Sequence, residues 1–125
     1  MSLAVDVFTV DEHDELNVLD VPEGQSDLAG FESWRTAVWG SDAVRSLGTR
    51  FFPVLADGDL KVAPHQVGDF VRECALVRSS IELVAPSTDP AKSHAEYVRQ
   101  ISQRLKNIEE AARRAQSVSG GVIIW

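Results

Sequence analysis

A single cysteine, Cys74, stands among 125 residues, so no disulfide can form within the chain. A lone thiol suits a reducing compartment. Long apolar runs are missing as well, and nothing approaches the roughly 20 residues a helix needs to span a bilayer. The start, Met1-Ser2-Leu3-Ala4-Val5-Asp6, lacks the basic segment and extended apolar stretch of a secretory signal. These absences predict a cytoplasmic protein without a membrane segment.

Catalytic signatures are equally scarce. No serine sits in a Gly-x-Ser-x-Gly elbow. Gly120-Gly121 precedes an apolar run rather than a helix, so it is not a phosphate-binding loop. His13, His65 and His94 are far apart, and none has a His or Cys partner at metal-ligand spacing. The acidic run Asp11 to Glu15 lacks the spacing and the turn glycine of a calcium loop. The expectation is a chain with no metal and no cofactor.

Positive charge is in short supply, with 12 Lys and Arg against 19 Asp and Glu, a net charge of −7. The deficit is local. Residues 1–60 hold 12 acidic residues and 3 Arg, while residues 61–125 hold 7 acidic residues and 9 Lys and Arg. An acidic half repels nucleic acid and attracts basic partners. Arg99, Arg104, Lys106, Arg113 and Arg114 tilt the last helix towards basic, but Glu96, Glu109 and Glu110 lie among them. That mixture reads as a solvated helix face, not a nucleic-acid surface.

What is present is an ordinary globular balance, 44% hydrophobic and 25% charged, sized for a single domain over residues 1–125. The organising stretch is Pro64 to Val84. Its apolar residues Val67, Phe70, Val71, Cys74, Val77, Ile81 and Val84 recur at steps of three and four, the stripe of a buried helix. Arg72, Glu73, Arg78 and Glu82 fall off the stripe, towards water. On that stripe Cys74 is a core residue, not a nucleophile.

Leu3 to Val10 alternates as a strand, Asp11 to Glu15 forms an acidic turn, and Leu16 to Val21 returns as the second arm of a hairpin. Ser26 or Asp27 caps a helix to Trp39 that stops at Gly40, with Leu28, Phe31, Trp34 and Val38 as its buried side. Ser41-Asp42 caps a short turn to Leu47. Phe51 to Leu55 reads as an edge strand interrupted by Pro53, and Asp57-Gly58 turns it into the return strand Leu60 to Val62. Asp89-Pro90 starts a long helix to about Gln116, with a seam of Tyr97, Ile101, Leu105, Ile108, Ala112 and Ala115. Glu109 with Arg113 and Glu110 with Arg114 are i, i+4 pairs on that helix. Val122 to Trp125 forms a last strand beside the first.

The expected fold is therefore α+β: a small, mostly antiparallel sheet covered on one face by helices, with a C-terminal antiparallel helix pair and a short last strand. The expected function is a non-catalytic protein-binding module. Its interface residues are Trp39, which lies off the helix stripe and alternatively packs under the Phe51-Phe52 strand, and Glu12, Asp14 and Glu15 of the acidic turn. A small acidic immunity-type or regulatory protein that binds a basic partner is the sharper form. The composition resembles that of bacterial immunity proteins in general. An enzyme with a site assembled from His65, Asp57, Asp59 and Arg50 is the second reading. A homodimer through the long-helix seam is the third.

Overall fold

The alternation of Leu3 to Val10 builds the central strand of the sheet. In the computed structural model, which describes residues 2–86 and 92–125, β1 spans Ser2–Val10. It pairs with β2 (Leu16–Val18), β3 (Leu28–Phe31) and β5 (Gly121–Ile124), and β5 pairs in turn with β4 (Leu60–Val62). Every pairing is antiparallel, in the order β2-β1-β5-β4, with β3 beside the start of β1. The last strand lies beside the first, as the apolar C-terminal run implies. Ala4 and Trp125 exchange backbone hydrogen bonds of 2.9 and 3.0 Å.

Period-two alternation divides the sheet's side chains between two faces. Leu3, Val5 and Val7 join Leu60, Val62, Val122 and Ile124 in the core. The helices lie on that side. Between β3 and β4 comes the short α1 (Asp42–Arg45), capped by Ser41, whose side chain accepts from Val44 N–H. The core helix begins with a 3-10 turn at Pro64–Gln66, continues as α2 (Val67–Ser79) and ends in α3 (Ile81–Val84). Val67, Phe70, Cys74, Val77, Ile81 and Val84 are all buried, as their spacing predicts. The break at Ser80 was not expected. Ser79 Oγ–H donates to the Leu76 carbonyl at 2.8 Å, the kind of local bond by which serine competes with a helix.

The long helix α4 runs His94–Ser117, with Ser93 as its cap. The Asp89-Pro90 start lies outside the described residues. Arg78 near the end of α2 reaches Ser102 and Glu109, whereas Val71 and Cys74 adjoin Glu109 and Arg113. Later residues of α2 thus meet earlier residues of α4, and the pair is antiparallel. Glu109 spends its carboxylate on Arg78 at 2.6 Å, not on Arg113, and Glu110 lies 4.0 Å from Lys106, its i, i+4 neighbour on the other side.

Two predicted elements are replaced. Leu28–Phe31 is a strand instead of the start of a helix. Asp27 accepts a bond from Val5 N–H at 2.8 Å, and Gly30 adopts φ +118, outside helical space. A Cβ on Gly30 would lie 2.5 Å from the Trp34 ring, so only glycine fits there. What remains of the expected helix is a π-helical turn, Arg35–Trp39, closed by Gly40 N–H to the Arg35 carbonyl at 2.8 Å. In that wider turn five residues complete roughly one revolution. Trp34 and Trp39 therefore face the same side, edge to face with centroids 5.9 Å apart.

The second replacement is at Phe52–Ala56, a 3-10 turn where an edge strand was expected. The cause is Glu73, which the helical pattern assigns to water. It is 8% exposed. Its carboxylate accepts from the N–H groups of Arg50 (2.6 Å), Phe51 (2.9 and 3.1 Å) and Phe52 (2.9 Å). Successive N–H groups converging on one anion need a curled backbone, not an extended one. Pro53, poor in a ladder, is well placed in the first turn of a helix. Asp57-Gly58 then closes that turn and is not the tip of a hairpin.

Candidate functional site

The acidic turn is ordered by its first residue. Asp11 Oδ1 accepts from His13 N–H at 2.8 Å and Glu15 N–H at 3.0 Å, and Asp11 N–H donates to the Glu15 carbonyl at 3.0 Å. Asp14 supplies the left-handed φ of 60 that the turn requires, a conformation Asp tolerates better than most residues. The Glu15 and His13 backbone N–H groups hold the Asp11 carboxyl below the usual carboxylate range. Glu12, His13, Asp14 and Glu15 are all exposed around this anchored loop.

Behind the turn lies the sheet face that points away from the core. Cross-strand partners share a face, so Val10 with Leu16, Phe8 with Val18, and Asp6 with Ile123 and Lys61 project to this side. Val10 is 42% exposed, Leu16 40% and Val18 47%. Trp125 closes the other end of the face, 45% exposed, with its indole N–H donating to Asp6 Oδ2 at 2.9 Å. From Ala4 to Val10 the face extends roughly 20 Å. Phe8 is the exception, fully buried across Gly121 and under Lys61, whose Nζ is 5.6 Å from the ring centroid. A Cβ on Gly121 would meet that ring at 2.3 Å. Residues 10–24 carry Asp11, Glu12, Asp14, Glu15, Asp20 and Glu23 and no Lys or Arg. Exposed aliphatic side chains and unopposed carboxylates thus occupy one hairpin.

Trp39 is not part of this surface. It is fully buried, its indole N–H donates to the Ala29 carbonyl at 2.9 Å, and its ring lies 5.0 Å from that of Phe52. The π-helical turn carries it inward, so its assignment as an interface anchor is corrected and the alternative, packing against the Phe51-Phe52 segment, is the one observed. The exposed tryptophan is Trp125, which sequence reasoning placed only as strand. Its position opposite Ala4, on the face away from Leu3 and Val5, depends on strand register.

The seam of α4 is likewise taken up internally. Ile101, Leu105, Ile108, Ala112 and Ala115 are fully buried within the one chain. Tyr97, the first residue of that seam, is half-buried.

The scattered polar residues of the enzyme reading partly converge. Arg50, Asp59 and His65 line one cleft of about 650 Å³, between the 3-10 turn at Phe52–Ala56, β4 and the start of α2. Asp57 is exposed and does not line it. Arg35 ties the cleft's near wall together, bonding Glu32 Oε1 (2.6 Å), the Gly58 carbonyl (2.6 Å) and Asp59 Oδ1 (3.0 Å). Cys74 is elsewhere, buried on α2, with its thiol pushed far up by desolvation and then by the nearby Glu109 and Glu73 carboxylates. His13 is exposed on the hairpin and His94 is half-buried on α4. Among the described residues no group of three or more His, Cys, Asp and Glu is placed to hold a metal ion. No described helix is long and apolar enough to cross a membrane. Set beside known proteins, this chain matches no family model, no curated protein and no solved structure.

Proposed function

We propose that this protein is a binding module whose β1–β2 hairpin docks on a basic partner protein. One observation carries the reading. Val10, Leu16 and Val18 stand exposed on an ordered hairpin whose charged residues are all acidic. Aliphatic side chains held in a sheet bury apolar area on contact at little cost in conformational freedom. The surrounding carboxylates steer a cationic partner and repel acidic competitors. Trp125, steadied by its bond to Asp6, is a rigid aromatic at the far end of the same face. Glu12, Asp14 and Glu15 keep the role assigned to them from the sequence, and Trp125 takes the place of Trp39. The sharper form of the reading is a small acidic immunity-type protein that neutralises a basic toxin in the cytoplasm.

The test is affinity capture from the source organism with the wild-type chain and two variants, each checked for native folding by circular dichroism. One reverses the tip charges (Glu12→Lys, Asp14→Lys, Glu15→Lys). The other removes the apolar pair (Leu16→Ser, Val18→Ser). The wild-type chain retains a basic protein, binding weakens steeply with salt, and each variant loses at least tenfold in affinity. Equal retention by wild type and both variants, or the absence of any specific basic partner, refutes the reading.

A further inference from the structure

The Arg50 cleft lies beside β4, at the opposite edge of the sheet from β2, and has a different character. Its basic side chains come from separate elements: Arg50 before the 3-10 turn, Lys61 on β4 and His65 at the entry to α2. Its carboxylates are already engaged. Asp59 is paired with Arg35 at 3.0 Å, and Asp69 with Arg72. Glu73, behind the cleft, holds the backbone N–H groups of Arg50, Phe51 and Phe52. By contrast, neither Arg50 nor Lys61 has an ion-pair partner among the described residues. The Lys61 side chain leans across the outer face of the sheet to the Phe8 ring, 5.6 Å from Nζ to the centroid, which leaves Arg50 as the uncompensated cation of the cleft. Phe51, Val54 and Leu60 supply apolar lining beside that cation. Gln66 accepts from Ala63 N–H at 3.0 Å through Oε1, which orients its amide N–H₂ away from that bond.

On a chain of net charge −7, a concave site with an uncompensated guanidinium is the local exception. Ligand sites combine apolar walls with a few convergent polar groups, and the planar guanidinium fork matches carboxylate and phosphate oxygens. We propose that the cleft binds a small organic oxyanion, with Arg50 on the anionic head and Phe51 and Val54 against an apolar body. Arg50 is suited to this task because Glu73 holds its backbone while its side chain is free to turn to the ligand. The site is independent of the hairpin and of any partner bound there.

Titration of the ¹⁵N-labelled protein with phenyl phosphate, benzoate, inorganic phosphate and benzyl alcohol tests this. Phenyl phosphate or benzoate shifts the amides of Arg50, Lys61 and His65 saturably, and the tighter of the two identifies the head group. Inorganic phosphate binds more weakly, and benzyl alcohol leaves these amides unmoved. Arg50→Gln, a surface substitution, weakens binding about tenfold without lowering the melting temperature. The proposal is overturned by non-saturating shifts for both anions, by equal shifts from benzyl alcohol, or by unchanged affinity in Arg50→Gln.

Discussion

Removing the Glu73 carboxylate gives the sharpest test of how this fold is held. In Glu73→Ala, the N–H groups of Arg50, Phe51 and Phe52 lose their acceptor together. A hydrogen bond to a charged group contributes about 1.5–3 kcal/mol, and a buried donor left without a partner costs about 1–3 kcal/mol. Phe52 is fully buried, so its N–H bears the full penalty, whereas Arg50 is exposed and Phe51 half-buried, so water replaces part of their loss. Relief from burying a charge offsets some of the total. The sum is a destabilisation of about 3–4 kcal/mol. At a urea m-value of about 2 kcal/mol/M this lowers the unfolding midpoint by about 1.5–2 M. Glu73→Gln keeps one acceptor oxygen but turns an amide N–H₂ towards the remaining donors, and should lose about half as much. Hydrogen exchange adds a local readout, with the Phe52 amide losing protection before the amides of β1. A loss below about 1 kcal/mol in Glu73→Ala, with Phe52 protection intact, would mean that the 3-10 turn holds itself and that the carboxylate is incidental.

Phe70→Ala empties the site where the Phe51 and Phe52 rings meet, with centroids 5.5 and 5.4 Å away, and should cost about 3–5 kcal/mol in a denaturant titration. A cost under about 1 kcal/mol would place that ring outside the core. Cys74 is 1% exposed and its thiol is raised, so a thiol reagent at pH 8 should label it only as fast as the protein opens; immediate labelling of native protein contradicts the packing. Asp11 has a depressed folded value, so its contribution to the turn is present above the ordinary Asp value and is lost as pH falls through the folded one. The His13 and Glu15 amide signals should report a midpoint below about 3.9, and a midpoint above that would break the link between Asp11 and the turn.

Local chemistry made much of this legible in advance. Ser41 before Asp42, Ala63-Pro64 before the core helix and the alternation of β1 each act within a few residues, and each is where the pattern places it. Apart from the break at Ser80 and the choice of Lys106 by Glu110, the failures share one cause, a partner distant in sequence. Phe51–Leu55 has strand composition, but an acceptor 22 residues beyond Phe51 curls it. Leu28–Phe31 has helical spacing, but β1 claims its backbone. Glu109 has a basic neighbour four residues on, yet Arg78 offers a bidentate bond from α2. The candidate surfaces divide in the same way. The acidic tip is visible because its charges are contiguous. The face behind it is not, because it is assembled by strand register from both ends of the chain.

The sequence alone therefore determined the fold class, the stripe of the core helix, the last strand and the uneven distribution of charge, since each depends on periodicity or composition read along the chain. Only the tertiary structure decided which tryptophan is buried, where Glu73 points, and that Arg50 and His65 share a cleft with Asp59. Those outcomes turn on which groups compete for the same backbone hydrogen bonds and the same enclosed volume, and that competition exists only once distant segments have been brought together.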